Sequence, residues 1–358
     1  MFLGQSRRGL TVAAAVFAAV LASCSTPEPA PPPPAPAPPP PPPPLALNEG
    51  VAQAASIYVT FIREVGSIQA GFPDAESVQS AIRRGTAYEP AQLSRGMIAY
   101  GAVLALQSPE YVTGVRGFAN DPAQRQQVVA RIIADPAYAA TLPGAEAAAG
   151  LIIATIGHDI AALTAVADLI EADAYTIQER RDPRRRWATV HIANRERRLE
   201  AAKTSSAVTM LPSAEESARL FAAANTGSGL SLSGASQTPP YTPAVINSLA
   251  IAALAALGAG GEDSRAQTEA LTIETNSEFC LTMSKLNLFQ CLAASRPSYE
   301  DMFCLGRHIV RDLATCSAKS TVPMTYPAET SSHAEVPGQS QVAAAAVAAS
   351  SSAVRESN

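Results

Sequence analysis

Four cysteines near the C-terminus are the residues of this chain with the clearest chemistry. They are Cys280, Cys291, Cys304 and Cys316. Such thiols can bind zinc or form disulfides, but zinc ligands usually come in close pairs of the type C-x₂₋₄-C, which this spacing lacks. An even number of cysteines in an exported chain favours two disulfides. The sequence therefore predicts a disulfide framework, and it predicts no metal centre and no cofactor.

Two helical patterns surround these cysteines. Apolar residues recur at helical spacing over residues 264–293 and again over 298–315. The triplet Arg296-Pro297-Ser298 separates the two patterns, and Ser298 is a suitable N-cap for the second helix. The sequence therefore predicts an antiparallel helical hairpin in the C-terminal part of the chain.

Helix geometry limits how the cysteines can pair. On one helix Cys280 and Cys291 are separated by a rise of about 16 Å, whereas a disulfide needs Cα atoms within about 7 Å. The same argument excludes a bond between Cys304 and Cys316. A hairpin brings together the nested pairs Cys291–Cys304 and Cys280–Cys316. On a regular helix, Cys316 would point about 120° away from the direction of Cys304, so both could not face the first helix. We therefore expect the second helix to bend or to end before Cys316.

This cysteine arrangement resembles the twin-cysteine helical hairpins of small mitochondrial proteins. The gaps between the cysteines are longer here than in that family. The resemblance therefore implies the geometry of a crosslinked hairpin and no shared function.

The N-terminal residues have the anatomy of an export signal. Arg7 and Arg8 precede an apolar run, and small residues precede Cys24. Residues 21–24, Leu-Ala-Ser-Cys, resemble the lipobox of bacterial lipoproteins, in which the cysteine is acylated with palmitate and related chains. The resemblance implies that residues 1–23 are removed and that Cys24 anchors the mature chain in a membrane. An ordinary cleaved signal is the alternative.

Two further short resemblances concern the route and the destination. Ser25 stands where aspartate would, and it resembles the sorting signal of outer-membrane lipoproteins in enteric bacteria. This implies a lipid-anchored protein of the outer membrane, and we expect the folded body to face the periplasm. Residues 6–10 also resemble a twin-arginine export signal. That route exports proteins folded in the reducing cytoplasm, so the cysteines favour general secretion.

A proline tract follows the anchor. Residues 27–44 contain 14 prolines in 18 positions. Proline fixes φ and removes a backbone donor, so we expect a polyproline II rod of roughly 55 Å. Such a rod is a spacer that can lift the folded body toward the peptidoglycan layer or a partner. An inert linker is the alternative.

Residues that could act in catalysis are few. Glu76-Ser77 and Glu216-Ser217 resemble the Glu-Ser core of soluble lytic transglycosylases, whose glutamate is the general acid, but the rest of that pattern is missing. The adjacent pair His158-Asp159 could exchange protons in a pocket. The remaining candidates are exposed pairs one helical turn apart, such as His308 with Asp312. None of these motifs is specific enough to predict an enzyme.

A basic segment is the strongest charge signal. Residues 180–203 contain nine basic and three acidic side chains. Its densest cluster comprises Arg180, Arg181, Arg184, Arg185 and Arg186. Such an imbalance predicts contact with an anionic partner, whether acidic protein, lipid or lipopolysaccharide phosphate. A solvated helix with internal ion pairs is the alternative. Trp187 is expected to pack this segment against the core.

Composition limits the remaining classes. The chain has 358 residues, a formal net charge of −5, 16% charged residues and 5% aromatic residues. This length is ample for a hydrophobic core. An acidic balance gives no support for nucleic-acid binding, which usually shows as a basic surface.

Most of the chain between the proline tract and the C-terminal cysteines has apolar residues at helical spacing, and strand patterns are nearly absent. We expect helices over residues 48–70, 74–84, 90–107, 145–181 and 244–257, with further helix starts at Ser108-Pro109, Asp121-Pro122 and Asp135-Pro136. The stretch 145–181 could be mistaken for a membrane span. It carries charged residues, so a core helix is the better interpretation. The predicted fold class is all-α, an irregular multi-helix domain with a C-terminal disulfide-linked hairpin.

The predicted domain organisation has five parts. These are a signal peptide (1–23), a lipidated cysteine with a proline-rich tether (24–47), a helical domain (48–262), a disulfide-pinned hairpin (263–318) and a disordered tail (319–358). The leading functional hypothesis is a non-enzymatic scaffold or assembly factor of an envelope complex, with contact to peptidoglycan or lipopolysaccharide. The alternatives are a peptidoglycan-acting enzyme with Glu76 or Glu216 as acid, and a carrier of a small apolar ligand.

Overall fold

The structure is a computed structural model that describes residues 41–180 and 183–323, and in these ranges all regular secondary structure is helical. The predicted all-α class is confirmed. The first seven helices are α1 Glu49–Gly66, α2 Ala75–Thr86, α3 Pro90–Ala105, α4 Pro109–Arg116, α5 Pro122–Ala134, α6 Ala145–Arg180 and α7 Arg186–Thr189. The others are α8 Arg195–Ser206, α9 Ala214–Thr226, α10 Pro243–Ala256, α11 Arg265–Leu271, α12 Thr275–Ala294, α13 Ser298–Leu305 and α14 Asp312–Thr321.

Capping residues begin these helices as the sequence indicates. The side chains of Asn48, Asp74, Ser108 and Asp121 accept backbone N–H groups at the starts of α1, α2, α4 and α5. The third predicted start differs, because Asp135 caps a short 3₁₀ helix, Pro136–Thr141, instead of an α-helix. Three successive cap–proline pairs therefore begin three short helices within about 30 residues.

The core is built on α3 and α10. Both helices are apolar around nearly their whole circumference, which is typical of helices buried on all sides. Glycines allow the closest approaches. A Cβ on Gly96 would lie 2.6 Å from the Ala54 carbonyl oxygen of α1, and one on Gly101 would lie 2.4 Å from the Ser248 hydroxyl of α10. Only glycine permits this backbone packing.

The chain joins the body just before α1. Leu47 is buried and forms an isolated parallel bridge with Gly260. The Asn48 amide donates to the Gly260 carbonyl oxygen at 2.9 Å and to the Thr268 hydroxyl at 2.7 Å. The segment that follows the proline tract is therefore fixed to the loop after α10 and to α11.

The helix α6 is the longest and runs along one side of the core. It buries one stripe, which includes Ile156, Leu163 and Ile170, and it exposes the opposite side. In the described part it is the one helix long and apolar enough to cross a membrane, with 28% of its most apolar window buried. A single such helix is weak evidence for a span, because a core helix passes the same test.

The C-terminal helices differ in two details from the predicted hairpin. The pattern over 264–293 is divided, because Glu274 caps a new helix by accepting the amides of Asn276 at 3.0 Å and Ser277 at 2.7 Å. A π-helical turn, Gly306–Arg311, connects α13 to α14 without a break. The second helix therefore does not end before Cys316, and a π-helical turn interrupts its regular α-helical geometry between Cys304 and Cys316. The alternative expectation, a bend, stays a prediction.

The π-helical turn explains how one continuous helix presents both of its cysteines to α12. A π-helix has about 4.4 residues per turn, so each residue rotates by about 82° instead of about 100°. Six such residues remove roughly 110° of rotation, which offsets the mismatch of about 120° expected for a regular helix. Cys316 therefore returns to the face that carries Cys304.

Two disulfides join α12 to the helices that follow it. Cys280 is bonded to Cys316 and Cys291 to Cys304, and in each pair the Cα atoms are 5.7 Å apart. The disulfide framework predicted from the cysteine spacing is present. Each bond connects α12 to the continuous helical stretch 298–321 near one of its ends.

Candidate functional site

The basic segment, residues 180–203, is divided among several short elements. It contains the end of α6, a 3₁₀ turn at Pro183–Arg185, α7 and most of α8. Two backbone contacts hold it against the start of α13. His191 and Pro297 form an isolated antiparallel bridge, and the Ile192 amide donates to the Arg296 carbonyl oxygen at 2.8 Å. The segment is thereby attached to the disulfide-linked helices.

The arginines predicted to bind an anionic partner have different environments. Arg185 donates through both terminal nitrogens to the Asp173 carboxylate at 3.0 Å, so its charge is matched within the fold. Arg180, Arg184 and Arg186 are exposed. Arg181 lies outside the described residues. Binding of an anionic partner by this cluster stays a prediction, and the ion pair with Asp173 already occupies Arg185.

Arg198 has a different role from its neighbours, which the sequence did not indicate. It is buried and donates to both carboxylate oxygens of Asp301 and to the Leu292 carbonyl oxygen. Asp301 also accepts hydrogen bonds from Gln79 at 2.7 Å and from the Ser295 hydroxyl at 2.6 Å. This network connects the basic segment to α2, α12 and α13, and it gives the segment a fixed position.

A cleft opens between the end of α6, the basic segment and the start of α13. Its volume is about 560 Å³, and its lining includes Gln178, Arg186, His191, Arg296, Tyr299 and Glu300. A smaller pocket of about 190 Å³ shares Gln178, Tyr299 and Glu300 and adds Tyr175 and Phe303. We call the two together the aromatic cleft. Aromatic side chains lie at one end and cationic side chains at the other.

The arginine and histidine side chains that line the aromatic cleft are available for a ligand. Within the described ranges, the guanidinium groups of Arg186 and Arg296 form no hydrogen bond or ion pair, and the same holds for the His191 imidazole. Glu300 accepts the backbone amide of Arg296 at 2.7 Å. The carboxylate therefore helps to fix the loop that carries Arg296.

Trp187 lies on the other side of the basic segment. It packs against the hydrophobic core, as predicted, and its indole Nε1 is buried without a hydrogen-bond partner in the described structure. An open cleft of about 450 Å³ adjoins it, between α2 and α8, with Arg83 and Arg197 in its lining. Trp187 therefore serves mainly to seat the segment on the body.

The two glutamates predicted as general acids are both ion-paired. Exposed Glu76 accepts a hydrogen bond from Arg83 at 2.6 Å. Glu216 accepts hydrogen bonds from Arg63 at 3.0 Å and from Arg219 at 2.5 Å. Burial by itself would raise the pKa of Glu216, but Arg219 and Arg63 outweigh it and hold that pKa below its usual value. A carboxylate ionised at neutral pH is a poor proton donor.

Asp159 is the carboxyl group whose properties come closest to those of an acid. Burial raises the pKa of Asp159 to about 6, against the charges of Arg63 and His158, which lower it. Burial also raises the pKa of nearby Tyr100 to about 12. None of the clefts described above includes Asp159. The predicted His158–Asp159 acid/base pair stays a prediction.

The remaining predicted candidates form local pairs. His308 Nδ1 and Asp312 Oδ2 are 3.1 Å apart within the π-helical turn and the start of α14. Among the described residues, no group of three or more His, Cys, Asp or Glu side chains is arranged to hold a metal ion. The predicted lipidation site, Cys24, lies outside the described residues.

Comparisons with known proteins add no relative to this picture. No protein-family model, no curated protein and no solved structure matches the chain.

Proposed function

We propose that this chain is an exported lipoprotein, anchored in the outer membrane through Cys24 and facing the periplasm, that acts as a non-enzymatic scaffold or assembly factor of an envelope complex. One observation carries the proposal. In the described structure the basic segment exposes Arg180, Arg184 and Arg186, and backbone contacts fix it to helices that two disulfides crosslink. Such a surface suits a partner in an oxidising compartment.

The disulfides support the export part of the proposal. Disulfides persist in oxidising compartments and are rare in the cytosol. Both bonds connect α12 to the stretch 298–321. We propose that these helices form an antiparallel hairpin that supports the basic segment as one rigid unit. The N-terminal lipobox resemblance supplies the anchor, and the proline tract supplies the spacer.

The alternatives receive less support from the described residues. A lytic enzyme would need a protonated acid, whereas Glu76 and Glu216 are both paired with arginine. A carrier of an apolar ligand would need an enclosed apolar cavity. The apolar pocket around Tyr58 and Met97 has only about 10 Å³, which is space for one water molecule at most.

In-cell crosslinking followed by affinity purification and mass spectrometry tests this function. We expect the native protein to enrich one envelope complex reproducibly and a Cys24→Ser variant to lose that enrichment. Thr26→Ala is the matched control, because it changes a neighbouring side chain and leaves the cysteine in place. Enrichment of the same partners by Cys24→Ser would contradict the role of the anchor, and a preparation free of partners would contradict the scaffold.

Localisation is tested separately. Ser25→Asp should move the protein from the outer to the inner membrane fraction if the sorting resemblance holds. Fractionation and mass measurement of the mature N-terminus provide the readout. An unacylated N-terminus at Cys24 would exclude lipidation.

A further inference from the structure

We propose that the aromatic cleft binds an amino-sugar strand that carries carboxylates, the chemistry of peptidoglycan. The inference rests on the proposed envelope location and gives that function a ligand class. It is independent of any protein partner. Three features of the cleft carry the inference. They are the aromatic end, the cationic end and the polar side chains in the lining.

The aromatic end offers ring faces at a fixed angle. The ring centroids of Tyr175 and Phe303 are 5.8 Å apart in an edge-on arrangement, which holds both rings in place. Tyr175 is 50% exposed, and Tyr299 lies half-buried beside it in the same lining. Sugar rings present flat C–H faces, which pack well against aromatic faces of this kind. The end of the cleft therefore suits a sugar ring.

The cationic end offers two guanidinium groups and an imidazole. Arg186, Arg296 and His191 line the cleft and form no side-chain bond to another described residue. The bridge between His191 and Pro297 fixes the loops that carry them. A planar guanidinium pairs with a carboxylate through two parallel hydrogen bonds. The site is therefore prepared for anionic groups attached to the sugar.

Polar side chains also line the cleft, and Gln178 and Glu300 belong to both of its pockets. Gln178 and Thr189 can both donate and accept hydrogen bonds, as sugar hydroxyl and acetamido groups require. Glu300 can accept, although one of its oxygens already binds the Arg296 amide. A volume of about 560 Å³, extended by about 190 Å³, lies in the range of small-molecule sites. The cleft is open, so a strand can continue past it.

Lipopolysaccharide is a poorer match than a glycan strand. Its phosphates would suit the arginines, but its acyl chains would need a long apolar groove, whereas the apolar end of the cleft, at Tyr175 and Phe303, has a volume of about 190 Å³. The proline tract, at roughly 55 Å as a spacer, would also hold the body away from the membrane surface. The small size of the apolar end and the predicted proline spacer both favour the peptidoglycan layer over the lipid of the anchoring membrane.

A binding experiment with purified components tests the proposal. The probe is purified insoluble peptidoglycan, incubated with the complete exported chain carrying Cys24→Ser and keeping its disulfides. We expect the bound fraction to fall about tenfold or more in an Arg186→Gln/Arg296→Gln variant and to fall as salt rises. A Tyr175→Ser variant should also bind several-fold more weakly, because it removes a stacking face.

Matched controls separate the cleft from general charge and hydrophobicity. Arg84→Gln/Arg95→Gln removes the same charge from exposed positions on α2 and α3, and Phe279→Ser removes an exposed ring from α12. Both controls should bind like the parent. Thermal unfolding of every variant checks that the fold is retained.

Three outcomes would overturn the proposal. They are the absence of binding at low salt, equal loss in the cleft and control variants, and binding to lipopolysaccharide vesicles but not to peptidoglycan. Because the assay contains no other protein, its result does not depend on the partner capture that tests the scaffold. The two proposals can therefore fail independently.

Discussion

Arg198 and Asp301 form a buried ion pair although they lie 103 positions apart in the chain. The guanidinium Nη1 is 2.5 Å from Oδ1 and 2.6 Å from Oδ2 of the carboxylate. Additional bonds from Gln79 and Ser295 satisfy the carboxylate. The pair holds the basic segment on α13, so it determines where the exposed arginines and the aromatic cleft are placed.

Removing one partner of this pair should destabilise the protein strongly. Asp301→Ala leaves a buried guanidinium without its counter-charge, and such changes cost about 3–5 kcal/mol. Denaturant unfolding, followed by circular dichroism, measures the loss. The neighbouring Arg197 is exposed, so Arg197→Ala should change the free energy of unfolding by less than about 0.5 kcal/mol.

A double variant sharpens this test. Arg198→Leu/Asp301→Leu removes both charges, so its cost should be clearly smaller than the sum of the two single changes. Additive costs would show that the two side chains do not interact in solution.

The two disulfides should contribute unequally. Cys280–Cys316 closes a loop of 36 positions and Cys291–Cys304 one of 13. If a disulfide stabilises by lowering the entropy of the unfolded chain, the first bond should contribute about 4 kcal/mol and the second about 3 kcal/mol to the free energy of unfolding. The double alanine variants of each pair, unfolded under the same conditions, give the comparison. A larger loss from the 291–304 pair would contradict the entropic ordering.

The sequence predicted the helical class because its apolar residues repeat with the period of a helix. It also predicted most helix starts, since Asn48, Asp74, Ser108 and Asp121 act through contacts a few residues away. Local chemistry determines these features. They can therefore be inferred without knowledge of the packing.

The π-helical turn and the buried arginine could not be inferred in this way. The turn at Gly306–Arg311 is set by the need to pack and crosslink both ends of one helix against α12, which is a tertiary requirement. Arg198 has the same local surroundings as Arg195 and Arg197, and only its distant partner Asp301 distinguishes it. The aromatic cleft likewise combines α6, the basic segment and α13, so the sequence indicated its charge and not its rings.

Lys285 should make stability depend on alkaline pH. Its ammonium group is buried, lies 4.3 Å from the Tyr88 ring centroid and donates to the carbonyl oxygens of Tyr88 and Ser206. Burial lowers the pKa of Lys285 from 10.5 to about 8. The unfolded chain therefore binds more protons between these values, and the free energy of unfolding should rise as pH increases from about 8 toward 9.5.

Unfolding at pH 7.5 and pH 9.5 gives the test for Lys285. The increase should disappear in Lys285→Met and remain in Lys203→Met, whose side chain is exposed. That result would show that Lys285 causes the rise of the unfolding free energy with pH. The same increase in both variants would mean that other titratable groups cause the pH dependence.

Asp159 should produce the opposite dependence at acidic pH. Burial raises the pKa of Asp159 from 3.8 to about 6, so the folded protein binds more protons than the unfolded chain between these values. Its contribution to stability is fully present below about pH 4 and is lost as pH rises through about 6. At neutral pH the fold must keep a partly buried charge, so Asp159→Asn should stabilise the protein at pH 7.5 relative to its effect at pH 4.

Unfolding of the parent and Asp159→Asn at both pH values measures this difference. Glu179→Gln is the control, because Glu179 is an exposed carboxylate on the same helix. An effect of Asp159→Asn that is equal at both pH values would mean that the carboxyl group titrates normally. The enzymatic alternative would then lose the carboxyl group that best supports it.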